Sequence, residues 1–253
     1  MWPFKKKCYS LIDSGLLQGM TDCHSHMLPG VDDGIQSEED SLQAIHSLYE
    51  LGIREFWLTP HIMEDIPNSP VELRKKFEAL KASIKEPKIR DSIHLAAEHM
   101  LDSLFVRRLA KDDVLSFMQP NLNLHTPLLL VETSYFNPPF RLWELFEEIR
   151  RKGYVPLFAH PERYVYMNMS DYNRLAEMGV LLQLNVMSLA GAYGEGARQK
   201  ALRLLHTDSY SYVGTDLHNL DDFLDYAYDE CLTKNDIEAL KTIIDSNERG
   251  DSD

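Results

Sequence analysis

Along the 253-residue chain, short apolar runs alternate with longer stretches whose apolar positions recur every three or four residues. The runs "FWLTPH" (56–61), "IHLAAEH" (93–99), "PLLLVET" (127–133), "YVPLFAH" (154–160), "GVLLQLN" (179–185) and "SYVGTDLH" (211–218) predict strands, and "GMTDCH" (19–24) predicts a weaker first one. Between them, residues 37–51 place Leu42, Ile45, Leu48 and Leu51 at helical spacing. Ser37 followed by Asp40 predicts a capping box there, and Gly52 a stop. Residues 70–85, 139–152, 195–207 and 233–246 are also helical in pattern. Seven strands alternating with helices predict parallel βαβ units. Strands that are nearly continuous apolar runs predict a sheet covered on both faces. The fold class is therefore α/β, and a closed barrel and an open doubly wound sheet both fit the pattern.

The ends of these strands set them apart from ordinary core strands. They finish at His24 and His26, His61, Glu98, Glu132, His160, and Asp216 with His218; only 179–185 ends without a metal-type ligand, at Asn185. Parallel strands gather their C-terminal ends on one face, which in barrels carries the active site. His24 and His26, two apart on an extended segment, point the same way. The Asp32-Asp33-Gly34 turn can bring a carboxylate back over the same mouth. A single strand-end histidine or glutamate is most often a satisfied polar group. Many buried carboxylates and imidazoles together are unfavourable unless cations offset them, so the set predicts a polynuclear metal site. Alternation turns Cys23 away from the two histidines and into the core.

Composition narrows the class. A formal charge of −14 excludes a broad surface for DNA or for an anionic membrane, although a locally positive site could still take an anion. Three cysteines, Cys8, Cys23 and Cys231, do not make a disulfide framework. No run has the apolar length of a transmembrane segment, and "MWPFKKKC" lacks the apolar stretch of a signal peptide. The expectation is a cytoplasmic protein with one domain over residues 19–246, an N-terminal extension over 1–18 and a loose polar tail over 247–253.

Taken in order, "DCHSHMLPGVDDG", "TPHIMED", "AAE", "LLVETSY", "AHPERY" and "GTDLHN" resemble the PHP (polymerase and histidinol phosphatase) superfamily. Within it they are most similar to the bacterial manganese-dependent protein-tyrosine phosphatases of capsular and exopolysaccharide synthesis. The resemblance implies a TIM-like, distorted (β/α)7 barrel and a three-metal centre. His24, His26, Glu98 and Asp216 would hold one ion. Glu98 would bridge to a second, completed by Glu132 and His160, and Asp33, His61 and His218 would hold the third. Mn2+ is the implied metal, with Fe or Zn possible, and a nitrogen and oxygen ligand set without thiolate allows each of these. Three divalent ions against four carboxylates would leave about +2, facing a phosphate monoester of about −2, with metal-bound water as nucleophile.

The resemblance also implies that Arg163, in "HPER", grips the phosphate, since its forked donors suit phosphate oxygens; the alternative is a surface arginine paired with Glu162. A cysteine nucleophile would need Arg six positions after Cys, and those positions hold Ser14, Pro29 and Ile237. The implied partner is the phosphotyrosine-containing tail of a bacterial tyrosine kinase. The alternatives are a small-molecule phosphatase, such as one for histidinol phosphate, and a non-catalytic, metal-stabilised binding subunit. Oligomeric state stays open. One departure stands out: relatives commonly carry an arginine a few residues after "TD-x-HN", whereas this chain reads "TDLHNLDDFLDY", acidic throughout. Tyr135 and Phe136, like Tyr164 and Tyr166, could pack a substrate phenyl ring or the barrel rim. His46 is expected to be solvated, His94, His125 and His206 structural, and His99 to face away from the site that Glu98 enters.

Overall fold

The computed structural model describes residues 7–117 and 126–248. His125 and the tail from 249 lie outside the described residues. The chain runs β1 (Thr21–Ser25), α1 (Glu38–Leu51), β2 (Glu55–Leu58), β3 (His61–Ile62), α2 (Pro70–Ser83), α3 (Pro87–Asp91), β4 (Ile93–Leu95), β5 (Glu98–Met100) and α4 (Ser103–Ala110). It continues through β6 (Leu128–Glu132), α5 (Leu142–Arg151), β7 (Val155–Ala159), α6 (Met169–Glu177), β8 (Leu181–Asn185), α7 (Val186–Ala190), α8 (Gly194–Leu205), β9 (Tyr212–Gly214), α9 (Leu220–Ala227) and α10 (Lys234–Glu248). The expected α1 is capped by Ser37, whose hydroxyl accepts the Asp40 N–H, and it ends at a left-handed Gly52. Helix α10 extends through Glu248, into the segment expected to be loose.

Every pairing between these named strands is parallel, in the orders β1-β2-β4 and β3-β5-β6-β7-β8-β9, with isolated antiparallel bridges at Tyr9–Leu232 and Phe117–Leu128. The runs 56–61 and 93–99 are each broken. Pro60 has no N–H to continue a ladder, so the Glu98 N–H reaches the carbonyls of Thr59 and Pro60. A parallel bridge between Ser25 and Leu217, with His26 N–H donating to the Leu217 carbonyl at 2.9 Å, brings β1 beside the β9 end of the second sheet. The result is a mixed α/β fold built on a curled parallel sheet.

Alternation decides what lies inside the curl. Leu128 and Leu130 of β6 and Leu157 and Ala159 of β7 pack with Cys23, Trp57, Ala96 and Phe117 in a small apolar cluster. Glu132 continues the inward register of Leu128 and Leu130 at the strand end. Gln183 and Asn185 continue that of Leu181, which packs on the same cluster. Cys23 is buried and its thiol donates to the Val213 carbonyl, as its expected core position requires. The larger core lies between sheet and helices and takes in Leu11, Leu16 and Leu17 from the N-terminal segment. Among the described residues, no helix is long and apolar enough to cross a membrane.

Candidate metal centre

Two glycines let the backbone close around the histidines. A Cβ on Gly34 would lie 2.3 Å from the His26 carbonyl oxygen, so only glycine lets the Asp32-Asp33 turn fold against that residue. A Cβ on Gly214 would lie 2.6 Å from the His24 Cβ. Two other site residues carry left-handed backbone, His160 at φ 34° and Asp216 at φ 52°. Such conformations are disfavoured for non-glycine residues and are held here by the surrounding fold.

All nine residues expected as ligands converge. They fall into four overlapping groups: His24/His26/Asp216, His24/Glu98/His160, His61/Glu98/Glu132 and His26/Asp33/His61/His218. His24 and His26 bring their Nε2 atoms 3.1 Å apart, and these lie 3.4 and 3.3 Å from Asp216 Oδ1. Glu98 Oε2 is 3.3 Å from His24 Nε2 and 3.4 Å from His26 Nε2, while its Oε1 is 2.9 Å from His160 Nε2. Atoms bound to one divalent ion at about 2.1 Å stand roughly 3.0 to 3.4 Å apart, the spacing seen here. Glu98, His24 and His26 are fully buried; Asp33 is exposed and His218 half-buried, at the open mouth.

The hydrogen-bond inventory fits a cation. His61 Nδ1 lies 3.1 Å from both Glu98 Oε2 and Glu132 Oε1, yet these three buried atoms make no hydrogen bond. Burial and the neighbouring His26 oppose charge on His61, but Glu132 and Glu98 outweigh them and lift it to about 10. Burial likewise opposes charge on His26, while Asp216, Asp32 and Glu98 raise it well above the ordinary imidazole range. Burial would raise Glu98, but His24, His160 and His26 hold it well below the usual carboxylate range. The imidazoles thus act as surrogate cations for the carboxylates, a role that divalent ions fill better.

Several positioning groups went unassigned from sequence. Asp32 Oδ2 accepts from His26 Nδ1 at 2.8 Å and from the His61 N–H at 3.0 Å. Gln183 Oε1 lies 2.9 Å from His24 Nδ1 and accepts the His160 N–H at 3.3 Å. Asn185 donates to Asp216 Oδ2 at 2.9 Å. Partners of this kind fix ring orientation at metal sites. Their one sequence signal was position: Gln183 and Asn185 are polar residues on an otherwise apolar strand.

Beside the cluster opens a cleft of about 560 Å³ lined by Asp33, His61, Glu98, His160, Asp216 and His218 together with Arg163, Tyr135 and Tyr193. Arg163 does not pair with Glu162. The two lie on a single 3-10 turn, Pro161–Arg163, where successive side chains diverge by about 120°. Glu162 turns into the core, while Arg163 Nη1 donates to Asp216 Oδ2 at 2.7 Å. Among the described residues lining the cleft, Arg163 is the one arginine or lysine. After "TDLHN", the α9 wall presents Asn219, Asp222 and Tyr226, so among the described residues of that wall no basic residue replaces the arginine noted as missing. Tyr135 lines the cleft, whereas Phe136 is 71% exposed and does not line it. Tyr164 is buried in the core and Tyr166 bonds Thr133.

The remaining described histidines make structural contacts. His94 pairs with Glu55 at 2.6 Å and stacks on Trp57, and His206 pairs with Asp236 at 2.7 Å. His99 is buried against the Leu115 backbone, and burial pushes it down to about 4. His46 is not simply solvated, since its ring spans the Leu42 carbonyl and Glu86.

Comparison with known proteins agrees with this geometry. A profile of the family described as "Capsular polysaccharide synthesis, CpsB/CapC" matches residues 20–234. The chain belongs to the CpsB/CapC family. "Tyrosine-protein phosphatase YwqE" of Bacillus subtilis (strain 168) is 30% identical over 204 residues, covering 79% of this chain and 78% of the relative. "Tyrosine-protein phosphatase CpsB" of Streptococcus pneumoniae is 29% identical over 245 residues, covering 91% and 97%. A crystal structure from work on these two proteins, described as unique metal-dependent tyrosine phosphatases, superposes with a TM-score of 0.73 at 27% identity, covering 92% of this chain and 96% of that one. The resemblance to the capsular phosphatases read from the six motifs therefore holds over residues 20–234.

Proposed function

We propose that this chain is a metal-dependent phosphotyrosine phosphatase acting on the tail of a tyrosine kinase that controls capsular or exopolysaccharide synthesis. The observation that carries the reading is the cluster of buried His61, Glu98 and Glu132 atoms without a hydrogen-bond partner, whose His61 and Glu98 line the same cleft as Arg163. The ligand division read from the motifs assigns His24, His26, Glu98 and Asp216 to one ion, Glu98, Glu132 and His160 to a second, and Asp33, His61 and His218 to a third. The overlap among the four clusters supports several ions sharing ligands. A donor set of imidazole and carboxylate without thiolate suits manganese. When bound, such ions supply Lewis acidity toward phosphate oxygens and lower the pKa of water.

The chain's own residues do the rest. Arg163 aims its guanidinium into the cleft and holds the phosphate through its forked donors. Asp32, Gln183 and Asn185 lock the orientations of His26, His24 and Asp216. The aromatic walls at Tyr135 and Tyr193 favour an aryl ester over a compact polar one. The strand segments are read as a distorted (β/α)7 barrel, with β2 and β3 as one interrupted strand and β4 and β5 as another. A cytoplasmic setting, where such a kinase tail would be exposed, completes the reading.

A second reading rests on the acidic α9 wall. Asp222 suits a small ester bearing an ammonium group, such as histidinol phosphate. Elemental analysis of protein purified without chelator, paired with turnover of a phosphotyrosine peptide and of histidinol phosphate, tests both. The leading reading expects bound divalent metal and a preference for the peptide. It also expects activity that survives thiol alkylation and disappears with chelator. Metal-replete protein inert toward the peptide would end it.

A further inference from the structure

Arg163 is more constrained than a cleft arginine needs to be. Its guanidinium carbon lies 4.2 Å from the Tyr135 ring centroid and 3.9 Å from that of Tyr193. Its Nη1 donates to Asp216 Oδ2, the oxygen that also accepts from Asn185 Nδ2. Asn185 Nδ2 lies 3.0 Å from the Tyr193 hydroxyl as well, which closes a circuit of four residues. Asp216 divides its oxygens: Oδ1 faces His24 and His26 at 3.4 and 3.3 Å, and Oδ2 serves the circuit. An ion pair alone would leave a long side chain free to swing about Asp216. Two aromatic rings restrict the plane of the guanidinium and lower the entropy lost when it grips an anion.

We propose that Tyr193 and Tyr135 are positioning residues for Arg163. They hold it as a preset anion-binding fork, and through Asn185 and Asp216 they keep that fork in register with the metal-holding histidines. Tyr135 then serves the arginine in addition to walling the cleft. This inference rests on the phosphatase reading for its biological meaning, but phosphate binding tests it independently of turnover.

The test uses the metal-loaded full chain, with inorganic phosphate affinity from calorimetry and with 4-nitrophenyl phosphate kinetics. Tyr193→Leu should weaken phosphate binding and raise KM by about 2- to 30-fold, with kcat changed far less. Tyr193→Phe, which keeps the ring, should restore most of the loss. Adding Arg163→Ala to Tyr193→Leu should cost little beyond Arg163→Ala alone, because the two act as one unit. Unchanged phosphate affinity in both Tyr193→Leu and Tyr135→Leu would overturn the proposal. So would additive losses, or losses that track metal content or Tm. Wild-type protein that binds phosphate but turns over no aryl ester would remove the phosphatase reading and leave this one standing.

Discussion

Two of the places where the described residues bury carboxylates satisfy them in opposite ways. Glu162 is 1% exposed, yet Ser188 and Tyr210 hydroxyls each donate to it at 2.8 Å and the Asn185 N–H at 3.1 Å. Burial raises its pKa, and its own backbone, the Ser188 and Tyr210 hydroxyls and the nearby His160 hold the rise back. Around Glu98 the neighbours are imidazoles and further carboxylates, and Glu98 Oε2, Glu132 Oε1 and His61 Nδ1 have no hydrogen-bond partner. Burial of an acid is common to both; a shortage of donors belongs only to the second. That shortage, rather than burial itself, marks a place for cations.

The comparison can be broken most sharply at its acids. Chelation, or Glu98→Gln, should abolish phosphatase activity with loss of bound metal by elemental analysis, whereas Glu162→Gln should keep its full metal content. Full activity after exhaustive chelation would show that the unpaired atoms serve some other purpose. Next in size is Arg163→Ala, expected to lower kcat/KM by about 10- to 150-fold, the worth of a charge-assisted hydrogen bond of roughly 1.5–3 kcal/mol, with metal content unchanged. Asp32→Ala should weaken metal affinity by about 10- to 100-fold in competition titrations, because it frees the His26 ring while leaving every candidate ligand in place.

Smaller effects sharpen the contrast. Glu162→Gln should lose about 1–3 kcal/mol of stability in denaturant melts, since one amide cannot accept from three donors as a carboxylate does. At the candidate metal centre, Glu132 and Glu98 lift His61 to about 10 against burial, so a metal taking His61 as a ligand would displace a proton at pH 7. Apparent metal affinity should therefore rise as pH rises toward that value and fall in acid. Calorimetry in buffers of different ionisation enthalpy should detect the released proton. Affinity that does not vary with pH would separate His61 from the ligand set.

Much of this was legible in the sequence because period and punctuation are local. The strand runs, α1 with its Ser37 cap and Gly52 stop, and the gathering of strand-end imidazoles and carboxylates needed only alternation and the parallel rule. The helices α3, α4, α6, α7 and α9 escaped notice because they are short, five to nine residues, with boundaries set by tertiary packing. The breaks at Thr59–Pro60 and Ala96–Ala97 escaped as well, because an apolar run reads the same whether or not its ladder is interrupted. Glu162 illustrates a further limit. Adjacent charges in "HPER" look like an ion pair, and only the 3-10 turn sends them to different places.

The sequence by itself determined which side chains could bind metal and that parallel strands would carry them to one end, since residue type and period 2 are properties of the chain alone. Tertiary structure decided which of their atoms face one another and which go unpaired. It also turned Asp32, Gln183 and Asn185 into supports and set Arg163 among tyrosines that lie 28 and 30 residues away from it. Those outcomes depend on the curl of the sheet and on close backbone approaches at Gly34 and Gly214, and distance in space is not encoded in distance along the chain.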